Sequence, residues 1–199
     1  KQVHLLLQEA MKSEAAIMNR LMSRSMYSQA SFYMSDQYLK QYDLIDLLNK
    51  NGGLVKISNF LPSEMADRLY TAIDSISEEE WILTQANTDA KRNNIDHAFH
   101  STRSFAYSEP IFNIFRRLMP DCESAFSAGR YTNSHFIDPH DDRQYKDIDG
   151  EVYSRYVAVI YYLTPNWTAE DGGALVDIEG KKTYVPEYNS VVSFTIPRW

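Results

Sequence analysis

The sequence predicts an α+β fold in which helices come first and a β-rich domain follows. Apolar residues in the first third recur at helical spacing, with caps and stops between them. From residue 122 onward, short apolar or aromatic runs alternate with turn signals such as Asp149-Gly150 and Asp171-Gly172-Gly173. The chain has 199 residues and is 44% hydrophobic, which suits one globular domain with an appended helical arm. Many short strands at such spacing form a sandwich, a barrel or a jelly roll.

In chain order, Leu6, Ala10, Ile17 and Leu21, with Met11, Met18 and Met22, mark a long first helix that no Gly or Pro interrupts. Ser35-Asp36 reads as an N-cap and Gly52-Gly53 as a stop, which places a second helix between them. Leu54–Ile57 is a short strand. Pro62 opens a third helix whose inner face is Ala66, Leu69, Tyr70 and Ile73. Trp81–Leu83 reads as a strand, residues 86–104 are polar and give no pattern, and Ile111–Leu118 is a helix that Pro120 ends. The β half then carries Ala125–Tyr131, Ser134–Ile137, Arg155–Leu163, Ala174–Ile178, Thr183–Val185 and Val191–Ile196. The expected division is a helical arm over 1–50 and a domain over 51–199.

Charge and composition exclude several classes. Twenty Lys+Arg against 27 Asp+Glu leave a net charge of -7, which argues against a nucleic-acid backbone as partner. Cys122 is the single cysteine, so no intrachain disulfide forms. No apolar run reaches the ~18–20 residues that span a bilayer. Gln8, Glu9, Lys12 and Glu14 break up any signal-peptide core at the start. These features lead to the expectation of a cytoplasmic protein with no membrane partner. The Met-rich face of the first helix suits docking to a partner or to a second copy, a homodimer.

The chemistry concentrates in His135-Phe136-Ile137-Asp138-Pro139-His140-Asp141-Asp142-Arg143. His140 and Asp142 stand two apart at the end of an expected strand, so alternation puts both on one face. An imidazole and a carboxylate presented together are two parts of a 2-His-1-carboxylate triad, which holds Fe(II) and leaves positions open. On its own, the H-x-D spacing arises by chance in many proteins. Asp141 should point the other way, and Arg143 either orients a ligand carboxylate or pairs with a surface acid. Downstream, the β-branched and aromatic run Val157–Leu163 reads as a strand buried on both faces, with Ile160 and Tyr162 on the same one. Gly172-Gly173 permits a tight turn into the strand that contains Leu175.

Five elements together resemble the Fe(II)/2-oxoglutarate-dependent dioxygenases, specifically the prolyl-4-hydroxylase-like family. They are the P-H-D-D-R segment, the V-I-Y-Y-L-T strand, the N-W after it, the G-G turn and the closing V-V-S-F strand. Order and spacing match from about Gly129 to Trp199, and the Leu54–Leu61 lead-in with the Pro62 helix resembles the start of that domain. The resemblance implies a double-stranded β-helix (a cupin-like jelly roll) backed by N-terminal helices. It implies that His140 and Asp142 are the first two iron ligands. Tyr162 and Tyr131 would line the 2-oxoglutarate pocket, with Ile160 and Leu175 as its apolar wall. Arg155 would lie near the substrate entrance, although its strand parity is opposite to that of Tyr162, so a bulge or twist is needed. Arg143 and Arg103 are further substrate candidates.

The family pattern also calls for a third ligand, a histidine, just after the Val191–Trp199 stretch. An Arg or Lys about ten residues further on would pair with the cosubstrate carboxylate. Both would fall beyond Trp199, so the expectation is a domain that lacks its C-terminal strands and is incomplete for activity. The implied cofactors are Fe(II), 2-oxoglutarate as cosubstrate, and ascorbate. The implied activity is hydroxylation of a C–H bond, in a prolyl residue of a protein or peptide, with succinate and CO2 as co-products. Two alternatives stand beside it: a hydroxylase of a free amino acid or small metabolite, and a non-catalytic jelly-roll binding module or pseudoenzyme.

Overall fold

A computed structural model describes residues 38–85, 95–102, 114–122 and 126–198. The chain divides into two compact units, Lys1–Gln41 and Tyr42–Trp199. In the first unit the described residues are a helical Tyr38-Leu39 and a turn at Lys40-Gln41. The expected long helix with its Met-rich face lies outside the described residues.

The second unit begins with α1 (Leu44–Lys50), so the helix expected between residues 35 and 52 is interrupted by the turn at 40–41. Asp43 is the reason for a fresh start: its carboxylate accepts the Asp46 backbone N–H and caps the helix. Strand β1 (Leu54–Ile57) and helix α2 (Ser63–Asp74) follow as the sequence predicts. Next come β2 (Ile82–Gln85), β3 (His97–Thr102), β4 (Ala128–Arg130), β5 (Phe136–Ile137), β6 (Tyr145–Ile148) and β7 (Glu151–Ser154). The chain then continues through β8 (Val157–Tyr162), β9 (Leu175–Asp177), β10 (Lys182–Tyr184) and β11 (Ser190–Thr195).

All strand pairs are antiparallel. One sheet runs β1-β11-β8, a second β2-β3-β4 with β5 also on β3, and β9–β10 and β6–β7 are two-stranded. This mixed fold with several antiparallel sheets is compatible with a jelly roll. The sheets do not close into a barrel among the described residues, because β8 pairs there with β11 alone and β9 with β10 alone.

The β1-β11-β8 sheet is covered on both faces, which explains its near-continuous apolar sequence. Opposed residues share a face. Leu54, Phe194 and Ala158 align on one side, with Val192 and Ile160 beside them. That face packs against Tyr162, Leu175, Tyr184 and Ile196. The other face presents Val55, Val157 and Val159 to Leu44 and Leu48 of α1. Phe60 is fully buried, stacked on Phe115 at 5.8 Å between centroids and edge-on to Tyr161 at 5.8 Å. Buried Asn189 locks this corner: its side chain accepts from the Leu61 N–H and the Tyr161 hydroxyl, and donates to the Leu61 carbonyl.

Three strands appear where the sequence gives little apolar signal. β3 lies inside the polar 86–104 stretch, and the β6–β7 hairpin lies inside the polar insertion after Arg143. The hairpin is a two-residue turn: Ile148 pairs with Glu151, and Asp149 and Gly150 both have positive φ (54° and 86°). This is the backbone that a tight turn matching strand twist requires.

A buried ion pair ties Arg198 to β9. Arg198 grips Asp177 of β9 through Nε and Nη2, both at 2.9 Å, and its Nη1 donates to the Gly52 carbonyl at 2.9 Å. The Asp177 side chain is 1% exposed. Removing one partner of a buried pair leaves a charge without compensation, which costs about 3–5 kcal/mol. Asp177→Ala should therefore lower the unfolding free energy by about 3 kcal/mol in urea titrations. A loss below about 1 kcal/mol would mean that the pair contributes only as a surface bridge does.

Candidate metal centre

His140 and Asp142 follow β5 in a stretch without regular structure, residues 138–144. The expected strand alternation is not what brings them together. Asp142 has φ of 56°, in the left-handed region, and this turn of the backbone swings its carboxylate back toward the histidine. His140 Nε2 and Asp142 Oδ1 lie 3.4 Å apart. His140 Nδ1 lies 2.7 Å from the Asp138 carbonyl oxygen. A carbonyl only accepts, so Nδ1 carries a proton, and Nε2 is the nitrogen presented to Asp142. The Asp138 N–H in turn donates to the Asp96 carbonyl at 2.9 Å, which anchors the segment to the chain entering β3.

Each of the two groups favours the charged form of the other. The bond to Asp142 raises the His140 pKa above its ordinary value. Burial opposes this, and the Asp138 carbonyl and the charges of Asp142 and Asp141 add to it. Burial alone would push Asp142 up, but the His140 bond and the charges of His140 and Arg155 outweigh it and hold the carboxyl below its usual range.

The neighbours are sorted by this geometry. Asp141 turns away and binds Arg143, whose Nε sits 2.8 Å from Oδ2, so Arg143 is committed to a surface acid. Arg155 does reach the site without any bulge, because it lies before the first residue of β8 and strand parity does not govern it. Its Nη1 donates to Asp142 Oδ1 at 2.9 Å and its Nη2 to Gln144 Oε1 at 2.6 Å. Arg103 lies outside the described residues. Tyr131 stacks on Phe99 at 5.0 Å; its hydroxyl pKa is raised by burial and by the charge of Asp142. Tyr162 is pushed up to about 12, by burial first and then by Tyr131. Ile160 and Leu175 pack with Tyr162 around Leu54, Val192 and Phe194. The four residues expected to form the cosubstrate pocket come from strands β8 and β9 and from the end of β4.

Gln144 and the Asp138 carbonyl had no sequence signal. Gln144 sits in a polar insertion, and a backbone carbonyl has no residue signature at all.

A divalent cation fits this pair. Two donors about 2.1 Å from one ion and at right angles lie about 3 Å apart, close to the 3.4 Å observed. Nε2 faces the carboxylate, and a fixed Nδ1–H is what metal-bound histidines show. Among the described residues, no group of three His, Cys, Asp or Glu side chains surrounds a common point, so the pair supplies two ligands of any larger set. Among the described residues, no helix is long and apolar enough to cross a membrane.

Residues 126–199 match the family model of the 2OG-Fe(II) oxygenase superfamily. No curated protein matches the chain. The matched stretch is the β-rich second half of the chain, and it contains His140, Asp142, Tyr131, Tyr162, Ile160 and Leu175.

Proposed function

We propose that the protein is an Fe(II)/2-oxoglutarate-dependent hydroxylase of the prolyl-4-hydroxylase-like branch, acting on a prolyl residue in a protein or peptide. The observation that carries the metal reading is the approach of His140 Nε2 to Asp142 Oδ1 inside the matched stretch. His140 and Asp142 hold the iron, with a third ligand from outside the described residues. Bound iron and 2-oxoglutarate supply the oxidising chemistry: the cosubstrate is decarboxylated to succinate, one oxygen atom ending in it and the other in the hydroxylated C–H bond.

The chain's own residues bind, orient and keep the pocket dry. Tyr162 stays protonated at any physiological pH, since its pKa is about 12. It is therefore a neutral hydrogen-bond donor for the far carboxylate of 2-oxoglutarate, and Ile160 and Leu175 exclude water beside it. A polypeptide substrate suits the surroundings. A cleft of about 390 Å³ opens beside the site, lined by Arg143, Gln144, Tyr145, Ser154, Arg155 and Pro197 among others. The hairpin above it exposes Tyr145 and Val152 to 70% and 72%. An extended chain can lie along such an open, partly apolar rim, whereas a free amino acid is better served by an enclosed pocket.

In the full-length protein, His140→Ala and Asp142→Ala should each abolish Fe(II)-dependent succinate formation and weaken Mn(II) binding at least tenfold. Proline-containing peptides should stimulate succinate release more than free amino acids do; the reverse order would favour a small-molecule hydroxylase. Metal binding must displace the proton from Nε2. Because the His140 pKa lies above 6.5, affinity should be full at higher pH and fall about tenfold per unit below a midpoint above 6.5. A midpoint at or below 6.5 contradicts the ion pair. Tyr162→Phe removes one hydrogen bond to a charged group, worth about 1.5–3 kcal/mol. It should raise the KM for 2-oxoglutarate about tenfold or more with little change in metal affinity.

A further inference from the structure

Arg155 is the most heavily engaged side chain at the site. Besides its bonds to Asp142 Oδ1 and Gln144 Oε1, its Nη1 approaches the Asp142 carbonyl oxygen at 3.4 Å. Its backbone N–H donates to the Gln144 carbonyl at 2.9 Å. Gln144 directly precedes β6 and Arg155 directly follows β7, so these contacts staple the stem of the hairpin and the carboxylate of Asp142 to one planar group.

Asp142 needs such a restraint. It lies outside any strand, and its left-handed backbone costs about 1 kcal/mol or more for a residue with a side chain. Arg143, the nearer cation in sequence, is bound to Asp141 instead. A guanidinium offers five donors in a rigid fork, so it can hold an acid and an amide at once, which an ammonium does poorly. The contact does not block a cation. A carboxylate has about four lone-pair sites, and Arg155 takes one of them.

We propose that Arg155 is a positioning residue: it holds the Asp142 carboxylate toward His140 Nε2 and couples that orientation to the β6–β7 hairpin. The proposal rests on the metal reading above and replaces the expectation that Arg155 is an anchor for substrate. It also means that a partner chain moving the hairpin moves a metal ligand.

The test is Mn(II) titration of the full-length protein, in the wild type and in Arg155→Ala, Arg155→Lys, Gln144→Ala and His140→Ala variants. Co(II) absorption spectra report the ligand geometry. Hydrogen exchange at Tyr145–Ser154 reports the stem in metal-free protein. Arg155→Ala should weaken Mn(II) binding about 10- to 100-fold, as outer partners of ligands do. It should alter the Co(II) spectrum and speed exchange in the hairpin. Arg155→Lys should restore part of the affinity but not the hairpin protection, because it keeps the charge and loses the fork. Gln144→Ala should speed exchange with a smaller effect on affinity. If His140→Ala loses Mn(II) while Arg155→Ala binds within twofold of wild type, or more tightly, the positioning role is overturned and the metal reading survives. If the wild type binds no Mn(II), the metal reading falls and takes this role with it.

Discussion

Strand β11 is buried along its length, with Ser190, Val191, Val192 and Ser193 fully shielded from solvent. A backbone sealed from water must have every N–H and carbonyl paired, so β11 needs a strand on each edge. It finds β1 on one side and β8 on the other. The polar residues inside it are satisfied as well: Ser193 Oγ donates to the Ala158 carbonyl and Ser190 Oγ to that of Glu187. This pairing fixes the register of β8 to the residue. A slip of one place would turn Ile160 and Tyr162 toward α1 and send Val159 and Tyr161 toward Leu175 and Tyr184. The position of Tyr162 is thus a consequence of the sheet, not of any local feature around the tyrosine.

The segment that carries His140 and Asp142 is built on the opposite principle. Residues 138–142 have no ladder of their own beyond the Asp138–Asp96 bond. Their conformation is set by side-chain contacts: Nδ1 of His140 on a carbonyl, Arg143 on Asp141, Arg155 on Asp142. Loops that carry functional groups on rigid scaffolds commonly work this way. The sheet supplies a fixed wall, and a cluster of charges supplies the adjustable edge.

What the sequence made legible follows the same division. β8 and β11 were readable because burial on both faces forces β-branched and aromatic residues into unbroken runs. β3 (His-Ala-Phe-His-Ser-Thr) was not, since its residues are mostly half-buried and mixed in character. The hairpin was half legible: Asp149-Gly150 announced its turn, but Tyr-Lys-Asp-Ile and Glu-Val-Tyr-Ser are too exposed to carry an apolar pattern. The H-x-D spacing does place His140 and Asp142 side by side, but through a left-handed turn at Asp142 and not through strand alternation. Arg155 looked misplaced only because the strand was drawn two residues too long.

The charge distribution across the candidate site is uneven. At one end, the His140 imidazole and the Arg155 guanidinium both face the Asp142 carboxylate. At the other, Tyr162 is neutral and surrounded by Ile160, Leu175, Val192 and Phe194. A carboxylate entering there gains a hydrogen bond but meets no opposite charge from the tyrosine. Arg198 is bound to β9, the strand that carries Leu175: its Nε and Nη2 are spent on Asp177 and its Nη1 on Gly52. Freeing it would strand a buried Asp177 carboxylate, which costs more than a single new carboxylate bond returns. Arg198 is therefore held in place by the fold and is not free to turn toward Tyr162.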